Sequence, residues 1–129
     1  RKVINKKKLD EYFLAAYMQF PKGIREEAEE DIRVLLKKRK ESQPLNWPTA
    51  GSTFRNPPNH FAAKLIEECG LKGFTIGGAQ ISKKHANFII NLGNASAFDI
   101  EELINHTITK VLEITKICLE TEIKIIGEY

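Results

Sequence analysis

No apolar run in this 129-residue chain approaches the roughly 18–20 residues that a bilayer-spanning helix needs, so no membrane segment is expected. The two cysteines, Cys69 and Cys118, are too few for a disulfide framework; they read as small buried hydrophobes in a reducing, cytoplasmic setting. With only 8 Gly and 5 Pro the composition is neither collagen-like nor of low complexity. The basic stretch Arg1–Lys8 is not followed by an apolar core and a small-residue cleavage site, so no signal peptide is expected in these residues. Neither G-x-x-x-x-G-K-[ST] nor G-x-G-x-x-G occurs, so no nucleotide-cradling loop is written in the chain. H-E-x-x-H and C-x-x-C are missing too, and His60, His85 and His106 do not fall at metal-ligand spacing; no metal is expected. The absence of a G-x-S-x-G elbow argues against a serine hydrolase.

What is present is the composition of one soluble domain, 42% hydrophobic and 29% charged. The net charge of +3 is unevenly spread. Residues 1–40 carry 12 basic and 7 acidic side chains, the remainder 8 and 10. A free-standing module that binds anions or nucleic acid through residues 1–40 is therefore one reading, although Glu26–Asp31 interrupt any basic stripe.

Tyr12–Phe20, apolar on both alternating faces, predicts a buried strand. Ile24, Ala28, Ile32, Leu35 and Leu36 form an apolar stripe on a helix from about Ile24 to Lys40. Its acidic first turns and basic last turn complement the helix dipole. Ser42–His60, with four prolines and the only Trp, breaks regular structure and is long enough to suggest a functional loop. A short helix over Phe61–Cys69 ends at Gly70. Phe74–Ser82 and Ala86–Leu92 read as strands, the first interrupted at Gly77-Gly78 by a bulge or close backbone approach. Ser96-x-x-Asp99 is a variant capping box ahead of a helix to about Lys116, whose buried face is Ile100, Leu103, Ile104, Thr107, Ile108, Val111 and Leu112. The alternation in Leu119–Ile126 predicts a last strand. One-sided amphipathic helices with few strands imply an α+β fold, a two-layer sandwich of helices on one face of a small mixed or antiparallel sheet.

Within the long loop, Ser52 follows a glycine that permits close backbone approach, and Arg55 and Asn56 carry groups that bind an anion or an amide. A serine of this kind also serves simply to bond its own turn. Glu122 lies on the polar side of the predicted last strand; facing a cleft and partly buried, it would hold or donate a proton.

Seven segments then occur in one order: Ser42-Gln43-Pro44-Leu45, Pro48-Thr49-Ala50-Gly51-Ser52-Thr53-Phe54-Arg55-Asn56-Pro57, Phe61-Ala62-Ala63-Lys64-Leu65-Ile66, Gly70-Leu71-Lys72-Gly73, Ile76-Gly77-Gly78-Ala79, Ser82-Lys83-Lys84-His85-Ala86-Asn87-Phe88 and Glu120-Thr121-Glu122-Ile123-Lys124-Ile125-Ile126-Gly127. Together they resemble, from about Tyr12 onward, the C-terminal part of the MurB family, flavin-dependent UDP-N-acetylenolpyruvoylglucosamine reductases of bacterial peptidoglycan synthesis. The short spacing after the Gly-Ser loop resembles the type of the family that lacks an insertion there.

The resemblance implies that residues 1–20 are the end of a flavin-binding part and residues 21–129 a substrate-binding domain. It implies FAD and NADPH as cofactors of a longer enzyme, with no cofactor held by this chain alone. It also implies UDP-N-acetylglucosamine enolpyruvate as substrate, and flavin-binding domains as partners in place of nucleic acid or membrane. By the same resemblance Ser52 protonates an enolate and Glu122 assists. Asn56 and His85 contact substrate, Arg39 or Lys40 meets the diphosphate, and Arg55 and Asn87 are further candidates. The family's catalytic Arg lies in the flavin part, so a fragment inactive by itself is expected.

Overall fold

The computed structural model describes residues 14–127. Its elements run α1 (Arg25–Ser42), β1 (Thr49–Ser52), α2 (Ala62–Glu68), β2 (Thr75–Ile76), β3 (Ala79–Ile81), β4 (Phe88–Asn91) and α3 (Ala97–Thr115). All four strands join one antiparallel sheet in the order β1-β4-β3-β2, which makes the domain α+β. In register, Ile81 faces Ile89 and Ala79 faces Asn91. Ala79, Ile81 and Ile89 share the core with Leu65 and Ile66 of α2 and with Leu103, Ile104 and Val111 of α3. Phe54 and Leu119, from the segments flanking the sheet, complete it. The two-layer arrangement thus holds for α2 and α3.

It does not hold for α1. Not one residue of this helix is buried, and the stripe of Ile32, Leu35 and Leu36 lies open. Its sequence forms a helix because end charges and Arg25–Glu29 and Arg33–Glu30 pairs support it locally. The stripe finds no apolar surface among the described residues. The predicted strand Tyr12–Phe20 is likewise corrected. Tyr12 and Phe13 lie outside the described residues, and Leu14–Phe20 is exposed and without secondary structure. A strand needs a hydrogen-bonding neighbour, and no described segment lies beside this one.

Three other expectations change. The long loop contains a strand, β1. Phe74–Ser82 is not one strand but the hairpin β2–β3, with Gly77-Gly78 as its two-residue turn. The last segment forms a single bridge, Phe54 with Thr121, instead of a strand over Leu119–Ile126, because only the short stretch 53–55 runs alongside it.

The capping box at α3 is present and does more than cap. Asp99 N–H donates to Ser96 Oγ at 3.1 Å, and Ser96 N–H returns a bond to Asp99 Oδ2 at 2.9 Å. The same carboxylate oxygen accepts from Gly78 N–H at 3.2 Å, which ties the hairpin turn to the helix start. These donors, Ser96 first and then Gly78, hold the Asp99 carboxyl below its ordinary value of 3.8. A depressed native value adds stability that is complete above the unfolded value and disappears as pH falls through the native one. Asp99→Asn is therefore expected to flatten the acid limb of the melting-temperature profile below about pH 4, as read by thermal unfolding from pH 2 to 7. An unchanged acid limb would assign the acid sensitivity to other carboxylates.

Candidate functional site

Ser52 ends β1, opposite Phe88 of β4, half-buried. The β1–β4 register shifts between Thr49 and Ser52, and Gly51 between them has φ +87°, a conformation that L side chains rarely adopt. Beyond Ser52 the chain is held on both sides. Thr53 N–H donates to Asn87 O at 2.8 Å. On the far side Glu122 N–H donates to Thr53 O at 2.8 Å, and Arg55 N–H to Glu120 O at 2.8 Å. Positions 52 and 122, seventy residues apart, thereby lie beside one another, with Thr53 between them. Their side chains share no hydrogen bond, and Glu122 is exposed, so the partial burial its expected role calls for is not supplied by the described residues.

Asn87, a further candidate for substrate contact, is bonded to the chain itself. It is buried, and both polar atoms of its amide are engaged: Phe54 N–H donates to Oδ1 at 2.9 Å, and Nδ2 donates to Phe54 O at 2.8 Å. Asn56 gives its Oδ1 to Ala62 N–H at 3.0 Å, holding the start of α2 where no side chain caps from the N-cap position. Arg55 is exposed and lines a cleft with Asn56, Pro57, Cys118 and Glu120.

His85 accepts the Asn87 N–H on Nδ1 at 3.2 Å, so its proton sits on Nε2. Its ring meets Phe88 edge-on, with centroids 4.8 Å apart. Burial lowers its pKa, which favours the neutral ring. The turn that carries it is built on Ser82, whose buried Oγ accepts the Lys84 N–H at 3.1 Å and the His85 N–H at 3.3 Å. Lys84 next door reaches across to α1, its Nζ donating to Lys40 O at 2.7 Å. A cation bound to the last carbonyls of a helix also complements its dipole. Arg39 pairs with Gln43 (3.1 Å), whereas the Lys40 ammonium has no such partner among the described residues. Between the α1 end and this turn lies a cavity of about 340 Å³, lined by Pro44, Trp47, Gln80, Lys83, Lys84 and Ile90.

The expected residues thus fall into two neighbouring groups. Ser52, Glu122 and Asn87 meet at the 53–55 segment; Lys84, next to His85, reaches Lys40, with Arg39 the preceding residue of α1. Lys84, Trp47 and Gln80 line the cavity at the α1 end; Lys84 belongs to the Ser82–Phe88 segment, and no spacing pattern singles out the three together. Among the described residues no three His, Cys, Asp or Glu side chains are placed to hold a metal, and Cys69 and Cys118 are free thiols. No described helix is long and apolar enough to cross a membrane.

Residues 43–126 match the family model of the C-terminal domain of UDP-N-acetylenolpyruvoylglucosamine reductase. This chain belongs to that family. Ser52, His85, Asn87 and Glu122 fall inside the matched region, and Arg39 and Lys40 lie just before it. The chain is 54% identical over 119 residues to the UDP-N-acetylenolpyruvoylglucosamine reductase of Thiobacillus denitrificans, covering 92% of this chain and 37% of that protein. It is 50% identical over 118 residues to the reductase of Methylococcus capsulatus, covering 92% and 39%. The crystal structure of the reductase from Thermus caldophilus superposes with a TM-score of 0.62 at 40% identity, over 77% of this chain and 34% of that one. The chain therefore spans well under half the length of these relatives.

Proposed function

We propose that this chain is the substrate-binding part of a UDP-N-acetylmuramate dehydrogenase. Such an enzyme reduces the enolpyruvyl ether of UDP-N-acetylglucosamine enolpyruvate to a lactyl ether during cytoplasmic peptidoglycan synthesis. In this reading residues 21–129 form the substrate domain, and residues 1–20 close a flavin-binding part that belongs to a longer protein.

The observation that carries the reading is the rung from Glu122 N–H to Thr53 O, which sets the carboxylate segment against the Gly51-Ser52-Thr53 loop. Once hydride has reached the terminal carbon of the enolpyruvyl group, negative charge develops on its carboxyl side and the adjacent carbon needs a proton. A serine hydroxyl is a very weak acid, and it serves only toward a strongly basic, carbanion-like centre. Ser52 is assigned that donation, and Glu122 the stabilisation of the enol or the return of a proton to Ser52. The neutral His85 presents Nε2–H as a donor, and Lys40 or Arg39 at the α1 end offers charge for the diphosphate. The free Nδ2 of Asn56 and the exposed Arg55 guanidinium add donors nearby.

FAD, reduced by NADPH, is the hydride source that the family implies, and the described residues do not fit it. No run of glycines opens a helix among them, and two of their cavities, about 340 and 380 Å³, are separate open clefts. A flavin site is accordingly assigned to the remainder of the longer protein. Against a nucleic-acid face on α1 stand the Arg25–Glu29 and Arg33–Glu30 pairs, which interrupt a basic stripe.

The test is NADPH consumption by the full-length protein carrying this chain. Oxidation that depends on UDP-N-acetylglucosamine enolpyruvate, and is absent with UDP-N-acetylglucosamine, is expected. A flavin-loaded protein that oxidises no NADPH in response to the enolpyruvyl substrate would overturn the assignment.

A further inference from the structure

Asn87 sits where β4 begins and the chain turns away from β1, so no peptide group remains to pair with Phe54 on that side. Its amide fills the place, giving an acceptor to Phe54 N–H and a donor to Phe54 O at 2.9 and 2.8 Å, as a neighbouring strand's peptide would. Its own backbone oxygen takes the Thr53 N–H at 2.8 Å. Three consecutive bonds from one residue thus fix the chain immediately after Ser52. Upstream lies Gly51, with positive φ at a shifted register and no Cβ to restrict it. Ser52 itself pairs with Phe88 at the end of β1, and with Gly51 free to turn before it, the bonds immediately downstream fix the direction in which the loop leaves the sheet. The segment is closed from the other edge by the Glu122 and Glu120 rungs.

From this we infer that Asn87 is the positioning residue of the site: its side-chain amide acts as a surrogate strand that holds the Ser52 loop in register with the Glu122 segment. The inference rests on the reading of Ser52 as proton donor. It also explains why asparagine stands here. Leucine has the shape and neither polar atom, aspartate has no donor when ionised, and glutamine carries the amide one methylene too far. Displacing a reacting group by about 1 Å costs on the order of 10²-fold in rate.

The test uses the full-length, flavin-loaded protein and follows its two half-reactions separately. An ionised carboxylate in Asn87→Asp sets an acceptor against Phe54 O, whereas its protonated form restores the donor. Burial and the facing carbonyl raise the pKa of such a carboxyl, so the repaired form exists on the acid side. The charged and titratable groups around it are His85 on its own turn and Arg55, Glu120 and Glu122 along the facing 53–55 segment; all are present in wild type and are removed by comparison with it. Transfer from reduced flavin to the enolpyruvyl substrate in Asn87→Asp is expected to be slowed on the order of 10²-fold at about pH 8. It should recover as pH falls toward about 5.5, while reduction by NADPH matches wild type throughout. The thermal midpoint of Asn87→Asp should likewise rise relative to wild type on the acid side. Asn87→Gln, which retains donor and acceptor and is the milder change for folding, should be slowed at every pH. Folded Asn87→Gln or Asn87→Asp that reoxidises at the wild-type rate, or equal slowing of both half-reactions, overturns the positioning role. Ser52→Ala measured alongside separates the causes. If its reoxidation is unaffected, the proton-donor reading falls and the positioning falls with it. If Ser52→Ala is slow and Asn87→Gln is fast, the positioning alone is wrong.

Discussion

With Ser52 as the proposed proton donor, Ser52→Ala in the full-length protein is expected to slow reoxidation of the flavin by UDP-N-acetylglucosamine enolpyruvate by on the order of 10²–10⁴-fold, the range of general acid catalysis. Reduction of the flavin by NADPH should change little, because it precedes any contact with the enolpyruvyl group. The substitution removes one oxygen from a half-buried position at the end of β1, and that hydroxyl makes no hydrogen bond among the described residues. Folding therefore does not depend on it, and a large kinetic effect would report chemistry. Stopped-flow absorbance of the flavin separates the two half-reactions. Equal loss in both would contradict proton donation and point to a displaced domain instead. Glu122→Gln is the natural companion, since the amide keeps the shape of the side chain without an ionisable proton.

The largest expected effect on stability is at Gly78. A Cβ built there falls onto the Ala95 nitrogen and within 2.6 Å of both the carbonyl carbon and the Oδ1 of Asn94. Backbone atoms cannot swing aside as a side-chain tip does, so Gly78→Ala forces apart the hairpin turn and the approach to α3. Gly78 N–H is also one of the donors to Asp99, and moving the turn weakens the link that joins β2–β3 to the helix cap. Overpacking of this kind costs about 1–3 kcal/mol and sometimes more. For a chain of this size that corresponds to a melting-temperature loss of roughly 4 °C per kcal/mol. At Gly77 the added Cβ would meet the Asp99 carboxylate, which is held by Ser96 and Gly78, and φ of +52° adds strain. Calorimetry of Gly78→Ala against wild type checks the prediction; a shift below about 2 °C would mean that the 94–95 segment yields easily.

Gly77 and Gly78 also show how far local patterns reach. A glycine pair inside an apolar run is compatible with a bulge and with a two-residue hairpin. The choice was made by the 94–99 segment, which crowds the turn and supplies Asp99 to its amide. The Ser96–Asp99 box was legible because its partners are three residues apart, whereas the third bond of Asp99 spans twenty-one residues and leaves no trace in spacing. α3 ends about where its apolar periodicity stops, at Lys116 with φ of +60°, although no glycine marks that cap. The apolar stripe of α1 misled in the opposite direction. Periodicity reports that a helix has a face to bury and says nothing of which chain supplies the surface.

At the site, residue type and order identified Ser52, Asn56, His85 and Glu122 as candidates through the family resemblance. Their interplay was not written there. Asn87 reads as one more polar residue near a strand, and only the folded chain shows its amide closing a gap in the ladder beside Ser52.

Helices α2 and α3, the cap at Ser96, the α+β class and the family followed from the linear order of residues, because each depends on periodicity, on partners a few positions apart or on segments kept in sequence. The hairpin at Gly77-Gly78, the lone bridge at Thr121, the exposure of α1 and the clamp of Asn87 on Phe54 were decided by the tertiary structure. Each depends on a peptide group or a surface brought close from a distant part of the chain, and hydrogen bonds between such groups form only when folding has supplied the neighbour.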